Sequence, residues 1–282
     1  MQSLITWWQH IPERLDPVLF AVGPLQIQYY GLMYIVAFGI TLFLTLYRIR
    51  TEPRFAISAE QVKDLATVML LGVIIGGRLG YVVFYNPAYY LEHPLEVVLP
   101  FDFSNGVRFT GITGMSYHGG LIGVVLGAFL YVRRAGLSFR EAADLFAPAV
   151  PLGYTFGRLG NFINGELYGR VTEAAIGMYF PLAPGPRLRH PSQLYEAVFE
   201  GVFLFGVLWA FRKKSMPQGA MMAWYLMGYG GVRFFIEFTR QPDAHIGFVA
   251  GSLSMGQLLC LAMIAAGTIV LLWLMAAERH RG

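Results

Sequence analysis

Residues 157–169 read Gly-Arg-Leu-Gly-Asn-Phe-Ile-Asn-Gly-Glu-Leu-Tyr-Gly, a dense polar and glycine run in a chain that is otherwise mostly hydrocarbon. Arg158, Asn161, Asn164 and Glu166 are costly in an apolar medium unless they are paired or wetted, so their grouping implies a built polar site. Arg78 and Arg233 also fall inside apolar stretches. Guanidinium forks bind phosphate oxygens bidentately, stay charged when desolvated, and stabilise negative charge growing on a leaving phosphate. Arg78, Arg158 and Arg233 therefore read as a clamp for an anion that itself lives in the membrane, and a phospholipid headgroup fits best. A different chemistry is available in Gly114-Met115-Ser116-Tyr117-His118-Gly119-Gly120, where glycines surround one histidine. An imidazole of ordinary pKa near ~6.5 can take a proton at neutral pH from a thiol of pKa near ~8.5.

Each of these residues also has a plainer reading. His118 could be a hydrogen-bonded interfacial histidine. Arg78 lies in Gly76-Gly77-Arg78-Leu79-Gly80-Tyr81, whose glycines admit either a ligand or a second helix backbone. Arg233 and Glu237 stand four residues apart and share a helix face, which makes an ion pair the cheapest way to keep both in lipid. Glu196 and Glu200 share a face by the same spacing. The lone Cys260, in the apolar run Leu258–Ala265, reads as packing and permits no intrachain disulfide.

The elements that must position these residues follow from composition. Of 282 residues 56% are hydrophobic and only 13% charged, and the mean hydropathy is +0.51. Soluble domains carry roughly 25% charge, so an all-α integral membrane protein is expected. Spans of about 20 apolar residues number about seven. They are Ile27–Leu46, Leu65–Phe84, Gly119–Val132 with flanks, a weaker Ala142–Phe156, Leu194–Phe211, Met221–Phe238 and Met255–Ala277. Pro148 and Pro151 should kink or break the weak one beside the polar run. Basic residues cluster after alternate spans at Arg48, Arg50 and Arg54, at Arg133, Arg134 and Arg140, at Arg212, Lys213 and Lys214, and at Arg279 and Arg281. The positive-inside rule then places the carboxyl terminus in the cytoplasm and the amino terminus outside. Residues 1–282 form one polytopic membrane domain, with outward loops at 85–117 and at 161–192, the latter carrying the polar run. The first residues lack the pattern of a removable signal peptide.

Several function classes drop out. The net charge of +4 is accounted for by the membrane anchors and no basic stripe is interleaved with aromatics, so no nucleic acid is expected. Six scattered histidines lack ligand spacing and there is no phosphate-cradling loop, so neither a metal nor another cofactor is expected. Two other classes remain. A transporter or lipid-binding channel would use the same arginines to select an anion. An intramembrane serine protease would use Ser116 with His118, although a two-residue separation sets the pair awkwardly on a helix.

The polar run also resembles the signature of the prolipoprotein diacylglyceryl transferases of bacterial membranes, through Arg158, Asn161, Phe162, Asn164, Glu166 and Gly169. Further blocks resemble that family in its order. They are Tyr29-Tyr30-Gly31-Leu32-Met33-Tyr34, Gly77-Arg78-Leu79-Gly80-Tyr81 and Ser116-Tyr117-His118-Gly119-Gly120, then Arg189-His190-Pro191-Ser192-Gln193-Leu194-Tyr195-Glu196. The last are Gly228-Tyr229-Gly230-Gly231-Val232-Arg233-Phe234-Phe235-Ile236-Glu237-Phe238 and Arg240-Gln241-Pro242-Asp243. The resemblance implies a seven-helix bundle in the bacterial inner membrane. It implies phosphatidylglycerol as lipid donor and the lipobox cysteine of a prolipoprotein signal peptide as acceptor. The products would be a thioether-linked diacylglyceryl group and glycerol phosphate, in the first step of lipoprotein maturation. It further implies catalytic roles for His118, Arg158 and Arg233. Substrate contacts are implied at Tyr30, Arg78, Gly119, Asn161, Asn164, Glu166, Gly169, Tyr229 and Glu237.

Overall fold

The computed structural model describes residues 2–23, 25–99, 101–102, 108–109, 114–241, 248–250 and 253–279. Of the sequence features above, Arg281, Pro242, Asp243 and part of the 85–117 loop lie outside the described residues. The chain is mostly helical, and four helices are long and apolar enough to cross a membrane: α3 (Tyr29–Thr51), α4 (Ala59–Tyr85), α9 (Ser192–Phe211) and α11 (Met255–Arg279). The other three expected spans are the shorter α6 (Tyr117–Arg134), α8 (Val150–Ile163) and α10 (Ala220–Ile236). Short helices α1 (Gln2–Gln9), α2 (Ile11–Arg14), α5 (Pro87–Glu92) and α7 (Phe139–Phe146) complete the set. Ile35, Phe43, Phe84, Ile269 and Leu272 are largely exposed, as lipid-facing side chains are.

Local signals account for several boundaries. Ser58 and Gln61 close a capping box at the start of α4, with Ser58 Oγ accepting from the Gln61 N–H at 3.2 Å and Gln61 Oε1 from the Ser58 N–H at 2.9 Å. Pro148 and Pro151 divide the weak span, so α7 stops at Phe146 and α8 starts at Val150 with Pro151 in its first turn. Helix α9 is π-wound over Glu196–Phe203, a feature the apolar count gives no sign of. Three short antiparallel pairs, which the helical reading does not anticipate, also form. These are β1 (Val18–Val22) with β2 (Leu25–Gln28), β3 (Phe101–Asp102) with β4 (Arg108–Phe109), and β5 (Phe248–Ala250) with β6 (Leu253–Ser254). The first turns at Gly23, φ +58°.

The chain divides into two compact units, residues 54–142 and residues 1–53 with 143–282. In the first, α4 and α6 cross at backbone contact. A Cβ on Gly76 would collide with the Gly119 carbonyl oxygen, and one on Gly72 would lie 2.5 Å from that of Gly123. Small residues at four-residue spacing allow this approach without a polar driving force.

In the second unit α3 packs on α8, where a Cβ on Gly153 would lie 2.8 Å from the Ala37 carbonyl oxygen. Helices α10 and α11 pack in the same way, with Gly230 against Cys260. Cys260 is buried in that packing. The amino-terminal α1 has no counterpart among the expected spans. The Trp8 indole donates to the Ile176 carbonyl at 3.0 Å and the Tyr179 N–H to Gln9 O at 2.8 Å, which ties α1 to the 161–192 segment.

Arg48, in the first of the basic clusters, is fully buried, and its fork meets Glu52 through Nε and Nη2 at 2.9 Å each. Its Nη1 donates to the carbonyls of Asp144 (2.7 Å) and Leu145 (2.5 Å). Helix α7 ends here with carbonyls that have no intrahelical donor, and the buried guanidinium supplies one.

Candidate functional site

Helical spacing sets the centre of the site. Tyr154, Arg158 and Asn161 stand at intervals of four and three on α8, so their side chains meet on one face. Arg158 Nε lies 2.6 Å from the Tyr154 hydroxyl and 2.8 Å from Glu196 Oε2, and its Nη1 donates to Asn161 Oδ1 at 3.3 Å. From α10, Arg233 Nη1 lies 3.3 Å from Glu196 Oε2 and 3.5 Å from Glu200 Oε1, while Nη2 pairs with Glu237 Oε2 at 2.9 Å. Just beyond α10, Arg240 Nη1 meets Glu196 Oε1 at 2.5 Å, and its Nε lies 3.5 Å from Glu237. Ser254 donates to Glu237 Oε1 at 3.1 Å. Tyr154 donates to Glu200 Oε2 at 2.6 Å, and its ring meets that of Tyr229 edge-on at 6.0 Å.

The charges are layered. The side chains of Glu196 and Glu200 are 0% exposed, whereas those of Arg158, Arg233 and Arg240 keep 16%, 15% and 18%. The anions thus form the back of the cluster and the cations its accessible front. Buried carboxylates cancel the cost of holding three guanidinium groups together, and the accessible faces remain able to meet an incoming anion.

The turn after α8 extends the site. Asn161 Nδ2 donates to Glu166 Oε1 at 2.8 Å, continuing the line from Arg158. Glu166 is held by a tight turn in which Gly165 (φ +68°) and Leu167 (φ +57°) are both left-handed. Leucine in that region is strained, and side-chain bonds fix the turn. Gln193 Nε2 donates to Glu166 O at 2.5 Å and Ser192 Oγ to Leu167 O at 2.9 Å. Asn164 follows α8 as its C-cap, with a buried Oδ1 that has no protein partner among the described residues.

Gly169 lies where two stretches of backbone cross. It bridges to Arg240, its N–H donates to His190 O at 2.8 Å, and a Cβ there would strike the Thr239 carbonyl. The contacts of Gly169 are therefore with backbone, and they fix where Arg240 begins. Beside it, burial lowers the His190 imidazole below its ordinary pKa. Tyr30, at the start of α3, packs against Gly160 of α8 and bonds the Tyr34 hydroxyl at 3.0 Å.

The remaining expected residues belong to the unit of residues 54–142. Arg78 is held there by loop backbone. Nε donates to Val97 O at 2.9 Å, Nη2 to Glu96 O and Nη1 to Gly114 O at 3.4 Å, with the Tyr90 ring 4.9 Å from the guanidinium carbon. Arg78 thus braces the 85–117 segment within its own unit, and in the other unit Arg240 joins the Arg158–Arg233 cluster. His118 is exposed in the first turn of α6, with the Tyr117 ring edge-on at 5.6 Å. Ser116 is the helix N-cap, its buried Oγ accepting from the Gly119 N–H at 3.2 Å, which is a structural role for the serine weighed above as a nucleophile. Gly119 itself is occupied by the α4–α6 crossing. Among the described residues no three His, Cys, Asp or Glu side chains converge on a metal position.

A family model for prolipoprotein diacylglyceryl transferases matches residues 17–273. The chain belongs to this family. It is 54% identical over 274 residues to the phosphatidylglycerol–prolipoprotein diacylglyceryl transferase of Chlorobaculum tepidum, covering 97% of this chain and 94% of that one. It is 47% identical to the enzyme of the same name from Bordetella avium, over 94% and 96% of the two chains. The Oleidesulfovibrio alaskensis enzyme of that name is 48% identical, over 94% and 95%.

Glu196 and Glu200 are legible in the sequence as a helical pair, and Arg240 falls in a stretch that resembles the family, but no spacing ties them to Arg158 across the fold. Tyr154 carried no signal beyond being a polar-tipped aromatic one turn before Arg158.

Proposed function

We propose that the protein transfers the sn-1,2-diacylglyceryl group of phosphatidylglycerol to the lipobox cysteine of prolipoproteins. The observation that carries this reading is the layered cluster, in which three partly accessible guanidinium groups stand before fully buried glutamates in an otherwise apolar helical body. Such a front suits a phosphate attached to lipid, and family membership supplies the reaction. The acceptor thiol gives its proton to the His118 imidazole. The sulfur bonds to the glycerol carbon, the carbon–oxygen bond to phosphate breaks, and glycerol phosphate leaves with the electron pair. Arg158 and Arg233 bind the donor phosphate and stabilise the charge that grows on it. Asn161, Asn164 and Glu166 shape the pocket beside them, with Tyr30 and Tyr229 contributing hydroxyls. Glu237 holds Arg233. Gly119 and Gly169 support these groups through close packing.

In the same reading seven helices cross the bacterial inner membrane as one polytopic domain. The amino terminus and the 85–117 and 161–192 segments face outward and the carboxyl terminus faces the cytoplasm. The lipid then enters sideways from the outer leaflet, and the signal peptide from the translocation side.

The test is to incubate the purified protein in phosphatidylglycerol vesicles with a lipobox peptide, then measure peptide mass and released glycerol phosphate. A diacylglyceryl mass gain that disappears with a cysteine-to-serine peptide is the expected result. Folded protein that leaves peptide and lipid unchanged would overturn the reading in favour of transport.

A further inference from the structure

The Tyr154 hydroxyl has three neighbours whose chemistry fixes its proton. Arg158 Nε, at 2.6 Å, can only donate, so the phenol oxygen accepts there. The phenol proton must then go to a carboxylate. Glu200 Oε2 lies at 2.6 Å and Glu196 Oε2 at 3.2 Å, so the bond runs to Glu200. Glu196 meets Arg158, Arg233 and Arg240, while among the described residues Glu200 has one salt-bridge partner, Arg233, at 3.5 Å. The hydroxyl is therefore the short contact that satisfies Glu200 and at the same time holds Arg158. The Tyr154 ring adds a second constraint, lying 4.7 Å from the guanidinium carbon of Arg158.

These contacts fix the plane and rotation of one guanidinium. Arg158 donates from Nε to Tyr154 beside the Glu196 carboxylate and from Nη1 to Asn161, so among the described residues Nη2 and the second Nη1 hydrogen remain to meet a phosphate oxygen. A planar fork discriminates only if it is held in place, and a displacement of about 1 Å costs on the order of 10²-fold in a reaction that needs alignment. We infer that Tyr154 is a positioning residue for phosphate recognition, aiming Arg158 through a hydroxyl bridge to Glu200. This rests on the transferase reading and adds to it a residue that works through Arg158 without touching substrate. The demand on Arg158 is greatest when the phosphate bears its extra negative charge, that is, in the transition state and in the glycerol phosphate product. The loss of the bridge should therefore appear in turnover and in product affinity, and little in donor binding.

Tyr154→Phe keeps the ring and removes the bridge. We expect kcat for peptide lipidation to fall about tenfold, with KM for phosphatidylglycerol within about threefold of wild type. Glycerol phosphate binding, measured by calorimetry on the purified protein, should weaken about tenfold. A second Glu200→Gln change should then cost less than it does in the wild-type background, because the shared bridge is already gone. Wild-type kcat and wild-type glycerol phosphate affinity in folded Tyr154→Phe would overturn the inference, and so would an equal rise in KM alone. If wild-type protein binds glycerol phosphate but makes no thioether, the transferase reading falls, and the affinity ratio still decides the role of Tyr154. Failure of wild-type protein to bind glycerol phosphate would overturn the inference, while thioether formation still decides the transferase reading. Should Tyr154→Phe not fold, Glu200→Gln alone must show the same split, with kcat about threefold lower and KM unchanged.

Discussion

Arg48 and Arg158 lie in the same unit and meet buried glutamates at nearly the same distance, 2.9 Å to Glu52 and 2.8 Å to Glu196. They differ in what remains of the cation. The Arg48 side chain is 0% exposed, with its fork closed on Glu52 and two backbone carbonyls. Arg158 keeps 16% exposure and shares its glutamate with two other arginines that are also partly open. Both arrangements make charge tolerable at depth. Only the second leaves cationic surface to which a ligand can bind, so access to the guanidinium, rather than burial of a salt bridge, distinguishes a site from a brace.

The largest expected effect follows from that distinction. Arg158→Ala should lower lipid transfer by about 10²–10³-fold while the protein still folds, because Glu196 keeps Arg233 and Arg240 as partners. Arg48→Ala should act in the opposite sense. Leaving Glu52 buried without its closest partner costs about 3–5 kcal/mol of stability, read as a lowered unfolding midpoint in detergent, while turnover per folded molecule stays within about threefold. Arg78→Ala sharpens the comparison in the other unit. It should release the 85–117 segment to protease, at a local cost of about 1.5–3 kcal/mol, because three loop carbonyls lose a charged donor. The smallest effect is expected from Ser116→Ala. Loss of the N-cap costs about 1 kcal/mol, and retained transfer activity would remove the serine as a nucleophile.

The sequence made the apolar spans plain, because twenty-residue hydrocarbon runs have few other uses, and it located the helix break through Pro148 and Pro151. It also made Arg158, Asn161 and Glu166 conspicuous, since polar groups in such surroundings demand partners. Which partners they take is a tertiary matter. The π-wound turns of α9 present Glu196 and Glu200 to α8 and α10, and no periodicity announces that winding. Arg78 and Arg233 look alike as single arginines in apolar runs. One is closed on loop carbonyls and the other opens onto the cluster, a difference set by residues 18–36 positions away in the chain for Arg78 and 33–37 positions away for Arg233. The burial of Arg48 is illegible in its own segment for the same reason, as its carbonyl partners Asp144 and Leu145 lie 96 and 97 residues away.

The most direct test compares Arg158→Ala with Arg48→Ala in phosphatidylglycerol vesicles, following diacylglyceryl mass gain on a lipobox peptide and normalising to folded protein. The account predicts near-complete loss of transfer for Arg158→Ala, with transfer by Arg48→Ala close to wild type per folded molecule. Wild-type transfer by folded Arg158→Ala would contradict the assignment of the open arginine front as the phosphate site.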